Sequence, residues 1–182
     1  MPHEPVLLAA LIAPGSIESE VGKVQAVLFS EHGLASAQAL PPLIPIAFLD
    51  AARVDRGFLL AMNRAVSPGW RMRLTGALWA EGHLYAGVES GGTWGALRDC
   101  ALGRCGAEKG RLFPAAEGFY LGCGDATPEV RVRIKLVLPE TSFSSCMVAL
   151  LNIVTAFDGP EWWREVSWEI VEERSLRGRR KQ

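Results

Sequence analysis

The sequence predicts an α+β fold made largely of antiparallel sheet. Three observations carry that expectation. Segments of strict period-two alternation, such as EVRVRIKLVL, stand among segments of helical period. WRMRLTGALW (70–79) and HLYAGVE (83–89) flank a tight Ala80-Glu81-Gly82 turn and read as a hairpin. Each half of the chain also carries a strand, a helix and a strand, a loose symmetry without any short repeat. With 182 residues, 49% of them hydrophobic and 21% charged, the chain can bury one core or one domain of two lobes. Its formal net charge of −1 supplies no global field for nucleic acid or membranes, so any phosphate-binding surface must be local.

The first strand is VLLAALIAP (6–14). Its apolar run is short, no basic residue precedes it and Glu4 adjoins it, which argues against a secretory or membrane-spanning segment and for a cytoplasmic protein. PGSIESEVGKVQAVLFSEHGL follows as an amphipathic helix. Ile17, Val21, Val24 and Leu28 share one face, Ser16 is its candidate cap and Gly33 its stop. The next strand lies in PPLIPIAFLD (41–50), where a proline interrupts an apolar run. Proline removes a ladder donor, so Pro45 requires an edge, a bulge or a changed residue at that position.

Asp50 can cap a second helix through Val54, Phe58, Met62 and Val66, which Ser67-Pro68-Gly69 ends. The hairpin comes next, then a third helix with Trp94, Leu97 and Ala101, stopping near Gly106. Beyond a loop-rich stretch containing GFYLGC (118–123), EVRVRIKLVL (129–138) is an alternating strand. SFSSCMVALLNIVTAFDGP is expected as a helix with Phe143, Met147, Leu150, Leu151 and Val154 on its apolar face. WREVSWEIVEE (163–173) closes the chain's single domain as a strand, leaving 174–182 as a basic tail. Trp168 is expected in the core, with Trp162-Trp163 as a lid over the sheet or an interaction surface.

Metal and nucleophile chemistry find little support. Cys100, Cys105, Cys123 and Cys146 lack the paired spacing of zinc ligands and read as buried thiols. His3, His32 and His83 have no partner at metal-ligand spacing, so neither metal nor cofactor is expected. A Cys100–His83 pair would have to meet in space, and no nucleophile elbow or phosphate-cradling glycine loop occurs. The sharpest polar feature is Arg131, Arg133 and Lys135 on one face of the 129–138 strand. Three unpaired cations cannot be buried, so that face meets water, acidic groups or a phosphate-bearing ligand. Arg71 and Arg73 either extend such a surface or mark the outer side of the hairpin.

Four stretches together resemble the two-histidine phosphoesterases, the superfamily of bacterial 2′-5′ RNA ligases and 2′,3′-cyclic nucleotide phosphodiesterases. VLLAALIAP with its helix resembles the opening, LIPIAFLD the first motif strand, RMRLTGALWAEGHLYAGVE the central hairpin and WREVSWEIVEERSL the closing strand. The resemblance implies two pseudo-symmetric lobes of antiparallel sheet, with flanking helices, around a central groove. It also implies that each motif strand brings a histidine into the groove, followed by an apolar residue, a hydroxyl and a leucine. The two imidazoles then serve as acid and base on a phosphodiester.

On that pattern Leu43 holds the histidine place of the first motif and Pro45 the hydroxyl place. The second motif falls on 129–138, its histidine place at Glu129, Arg131 or Arg133, with GFYLGC as the weaker alternative. Arginine stays protonated, and Lys135 would need its pKa lowered by roughly three units from about 10.4 to act as a base. The expectation is therefore a non-catalytic protein binding a nucleotide or RNA through Arg131, Arg133 and Lys135. An enzyme with a rebuilt site, and a structural or protein-interaction module, are the alternatives.

Overall fold

The computed structural model describes residues 4–106, 108, 110–123, 141–157 and 159–177. In chain order these residues form β1 (Val6–Ile12), α1 (Gly15–His32), β2 (Leu43–Leu49), α2 (Phe58–Ala65), β3 (Met72–Ala80), β4 (His83–Glu89), α3 (Thr93–Cys105), β5 (Gly118–Cys123), β6 (Ser142–Phe143), β7 (Met147–Thr155) and β8 (Val166–Ser175). Two four-stranded sheets result, ordered β2-β1-β7-β8 and β5-β4-β3-β6. Every pairing among the described residues is antiparallel. This is the α+β architecture of two antiparallel sheets with helices that the sequence predicts. The 129–138 strand lies outside the described residues.

One core lies between the sheets and the three helices, joining Leu11, Val21, Ile46, Met62, Leu97 and Leu150, among others. α1 turns Ile17, Val21 and Leu28 inward and stops at Gly33, whose φ of 69° suits a left-handed cap. The N–H of Gly33 reaches the Phe29 carbonyl and that of Leu34 the Leu28 carbonyl, closing the last turn. The helix begins one residue before the expected Ser16 cap, with Pro14 at the capping position. Asp50 caps only a short 3-10 turn, Ala51–Arg53, by accepting from the Ala52 N–H, and α2 starts afresh at Phe58.

The helix expected from SFSSCMVALLNIVTAFDGP is instead the strand pair β6 and β7. β7 is central, between β1 and β8, and Val148 to Leu151 are buried on alternate faces against two different cores. A strand covered on both sides reads as an unbroken apolar run, which helical periodicity imitates. β8 begins at Val166, after a 3-10 segment over Gly159–Glu165, and continues to Ser175. The fold extends beyond 173: Leu176 is 2% exposed, and its N–H donates to the Cys146 carbonyl.

Pro45 sits both on an edge and beside a bulge. β2 is the terminal strand of its sheet, and its register with β1 slips so that Ala9 faces Ala47 while Ala10 faces Pro45. Ile46 is the extra residue. The outward polar groups of β2 are met by side chains. Trp94 Nε1 donates to the Pro45 carbonyl at 3.0 Å, and Arg98 donates to the Ile46 carbonyl at 2.5 Å. The Glu108 carboxylate accepts from the Phe48 N–H at 3.4 Å and pairs with Arg98 at 3.1 Å. Replacing Arg98 by Met strands that carbonyl and half-buried carboxylate, so Arg98→Met should cost about 1–3 kcal/mol in denaturant unfolding. A change within error would show that the edge does not depend on this residue.

Candidate functional site: the groove between the sheets

β2 and β5 are edge strands of different sheets, and they lie against each other. The side chain of Gln25, 4% exposed on α1, bridges this junction by donating to the Leu40 and Tyr120 carbonyls at 3.2 and 3.1 Å. Ser36 adds a further tie, its hydroxyl accepting from the Cys123 N–H at 2.8 Å. The space where the two strands approach is a second apolar core, fed by β1, β2, β4, β5 and β7.

Aromatic rings fill that core. Phe113 stands at its centre, with ring centroids 5.0 Å from Phe48, 5.1 Å from Tyr120 and 5.1 Å from Trp162. Tyr120 lies 6.0 Å from both Tyr85 and Trp162. Such edge and tilted contacts each add about 0.5–1.5 kcal/mol beyond area burial. The two tyrosine hydroxyls of this cluster are turned onto the protein itself, whereas the buried Trp162 Nε1 has no hydrogen-bond partner among the described residues. The Tyr85 hydroxyl donates to the Pro114 carbonyl at 2.6 Å and that of Tyr120 to Cys123 Sγ at 3.2 Å. Burial, followed by the neighbouring Cys123 thiol, pushes the Tyr85 phenol far above its ordinary value. Thr155 holds the Trp162 segment in place, donating to the Trp162 carbonyl at 2.7 Å.

The sequence-predicted residues fall as follows. Leu43 is 0% exposed and belongs to this aromatic core, and Pro45 is buried beside it on β2. Arg131, Arg133 and Lys135 lie outside the described residues. Arg73 is paired across the hairpin with Glu89 at 2.6 Å, which neutralises it, while Arg71 is exposed. His32 ends α1 at the surface, and the His83 ring lies 6.3 Å from that of Phe113, on the groove side. Cys100 packs against the helix-side core, so the structure does not bring Cys100 and His83 together.

The four cysteines are in no disulfide, and burial raises the thiols of Cys100, Cys105 and Cys146, the last to about 12. Among the described residues no cluster of three potential metal ligands occurs, and no helix is long and apolar enough to cross a membrane. Trp168 is not core as expected: it is 42% exposed on β8, and Trp162 is the tryptophan that is fully buried. Phe113 and Trp162 were illegible as groove residues because both come from irregular or 3-10 segments without a strand period. Among the described residues, one surface hollow of about 330 Å³ lies between Ser67–Arg71 and Ser90–Thr93.

No known family's sequence profile matches the chain, and no curated protein does either. Solved structures match it over nearly its whole length. TT0787 of Thermus thermophilus superposes with a TM-score of 0.62 at 18% identity, covering 96% of this chain and 100% of that one. E. coli LigT in its apo form gives 0.58 at 18% identity, covering 96% and 99%, and LigT complexed with 3′-AMP gives 0.57 at 16%, covering 95% and 99%. Together with the paired antiparallel sheets, these likenesses establish that the chain has the LigT-like fold.

Proposed function

We propose that this chain is a catalytically silent protein of the LigT-like fold that acts by engaging a protein partner. The filled groove carries this reading. A phosphodiester needs an open, wet cleft with an acid and a base within reach of it, each worth about 10²- to 10⁴-fold in rate. Here the meeting place of β2 and β5 is occupied by Phe48, Phe113, Tyr85, Tyr120 and Trp162.

The motif strands support the same reading. Leu43 and Pro45 take the histidine and hydroxyl places of the first. We assign the second to β5, the strand that lies against β2, where Gly118-Phe119-Tyr120-Leu121 follows the order histidine, apolar, hydroxyl, leucine. Gly118 then holds the histidine place, and no side chain fits there. A Cβ would come within 2.7 Å of the Ala86 carbonyl oxygen and 3.0 Å of Tyr85 Cβ. The place is closed by backbone, so a single substitution cannot reopen it.

A second reading keeps a phosphate-bearing ligand, nucleotide or RNA, on Arg131, Arg133 and Lys135. It is favoured by three cations on one face of an alternating segment and by the 3′-AMP held by E. coli LigT. One experiment addresses both readings: incubation with 2′,3′-cyclic AMP and short RNA, assayed for product, beside a 3′-AMP titration of wild type and Arg133→Ala. The first reading predicts no product, and turnover by the wild-type chain would overturn it. Saturable, salt-sensitive 3′-AMP binding weakened in Arg133→Ala would establish the second.

The closed histidine place makes its own prediction. Gly118→Ala should lower stability by about 1–3 kcal/mol in denaturant unfolding, from overpacking against backbone. An unchanged midpoint would mean that the position can accept a side chain.

A further inference from the structure

We propose that the outer edge of β8 is a docking site for an extended basic segment of a partner protein, which joins the sheet as an added strand. This deepens the protein-interaction reading above and rests on it. β8 is the terminal strand of its sheet and pairs, among the described residues, only with β7. It is ten residues long, contains no proline, and every residue from Ser167 to Arg174 is exposed. Such an edge presents a row of N–H and C=O groups to a further strand; here its charged side chains and the bulge at Val171 guard it against indiscriminate pairing, so an added strand must answer that charge.

The side chains on this edge are those of a recognition surface. Trp168 and Ile170, each 42% exposed, stand opposite the buried Ile153 and Leu151 and carry the apolar face of the sheet out to its rim. Val171, at the register slip against β7, is 54% exposed. Between them lie Glu169, Glu172 and Glu173, with Arg174 as the strand's one cation. Glu169 accepts from Asn152, whereas Glu172 and Glu173 form no ion pair among the described residues.

Charge selects the occupant. A second copy adding antiparallel about Ile170 and Val171 would set Glu169 against Glu172, and like charges directly opposite disfavour pairing. A strand with Lys or Arg alternating with apolar residues meets both features at once. Main-chain hydrogen bonds hold it, its apolar residues cover Trp168 and Ile170, and its cations answer the carboxylates.

The test uses the full chain and a fluorescent ten-residue peptide alternating Lys with Val, beside a counterpart alternating Glu with Val. Binding is read by anisotropy at low and moderate salt. The proposal predicts saturable binding of the Lys peptide alone, weakened by salt. The double variant Glu172→Lys/Glu173→Lys should weaken it by about tenfold or more, and Trp168→Ser should weaken it at both salt concentrations. These residues are exposed, so circular dichroism should show the wild-type fold in every variant. Absence of binding, equal binding of both peptides, or binding that the variants leave unchanged would overturn the proposal. So would a dimer seen by sedimentation and abolished by Trp168→Ser, which would assign the edge to a second copy. Each of those outcomes leaves the silent groove standing, whereas turnover of 2′,3′-cyclic AMP removes the silent reading without moving any β8 result.

Discussion

The free edge of β2 is the constraint on which the rest of the molecule is arranged. A bulge at Ile46 and a proline that donates no hydrogen bond leave this strand unable to continue the sheet. Its carbonyls and its Phe48 N–H must nevertheless be satisfied inside the protein. Trp94 and Arg98, one turn apart on α3, and Glu108 beyond that helix meet them. α3 is thereby fixed against the first sheet, although it follows the hairpin of the second. The polar edge, as much as the apolar core, holds the two halves together.

That joining has a consequence for the groove. In a catalytic cleft two strands face each other across water. In this chain the space where β2 and β5 approach is packed with rings from both sheets: Phe48 from the first, Tyr85 and Tyr120 from the second, and Phe113 and Trp162 between them. Filling a cleft with aromatic rings trades accessible chemistry for packing, since each ring buries a large area and leaves only its polar tip to be satisfied. The tips of Tyr85 and Tyr120 are satisfied by Pro114 and Cys123, not by anything from outside. Gly118 belongs to the same exchange, because the close backbone approach there is compatible only with the absence of a side chain.

Much of the scaffold was legible. Alternation identifies the hairpin, amphipathic spacing and Gly33 bound α1, and the oddity of Pro45 points to the edge and bulge that β2 has. Failures cluster where a segment is buried on two faces or where the partner is distant in sequence. β7 imitated a helix because both its faces are covered. Trp168 passed for core because alternation shows which face a residue lies on, not whether anything covers that face. Trp162 and Phe113 reach the groove from segments with no period. The second motif strand expected at 129–138 lies outside the described residues; among those described it is β5, the weaker candidate, that lies against β2, and a six-residue run with glycine at its first and fifth positions carries little alternation to weigh.

The central claim is that the groove has become core, and the chain supplies its own reporters. It contains two tyrosines, Tyr85 and Tyr120, and both are fully buried in this cluster. Burial raises the phenol of Tyr85 above its unfolded value of about 10, so its share of stability is complete below that pH and is lost as pH rises through the folded value. The most direct measurement is an alkaline titration of tyrosinate absorbance alongside circular dichroism. A packed groove predicts that neither tyrosine ionises near its ordinary pKa and that tyrosinate appears only as the protein unfolds. Reversible ionisation of either tyrosine near pH 10, with the fold intact, would mean that water reaches the groove, and it would contradict the account.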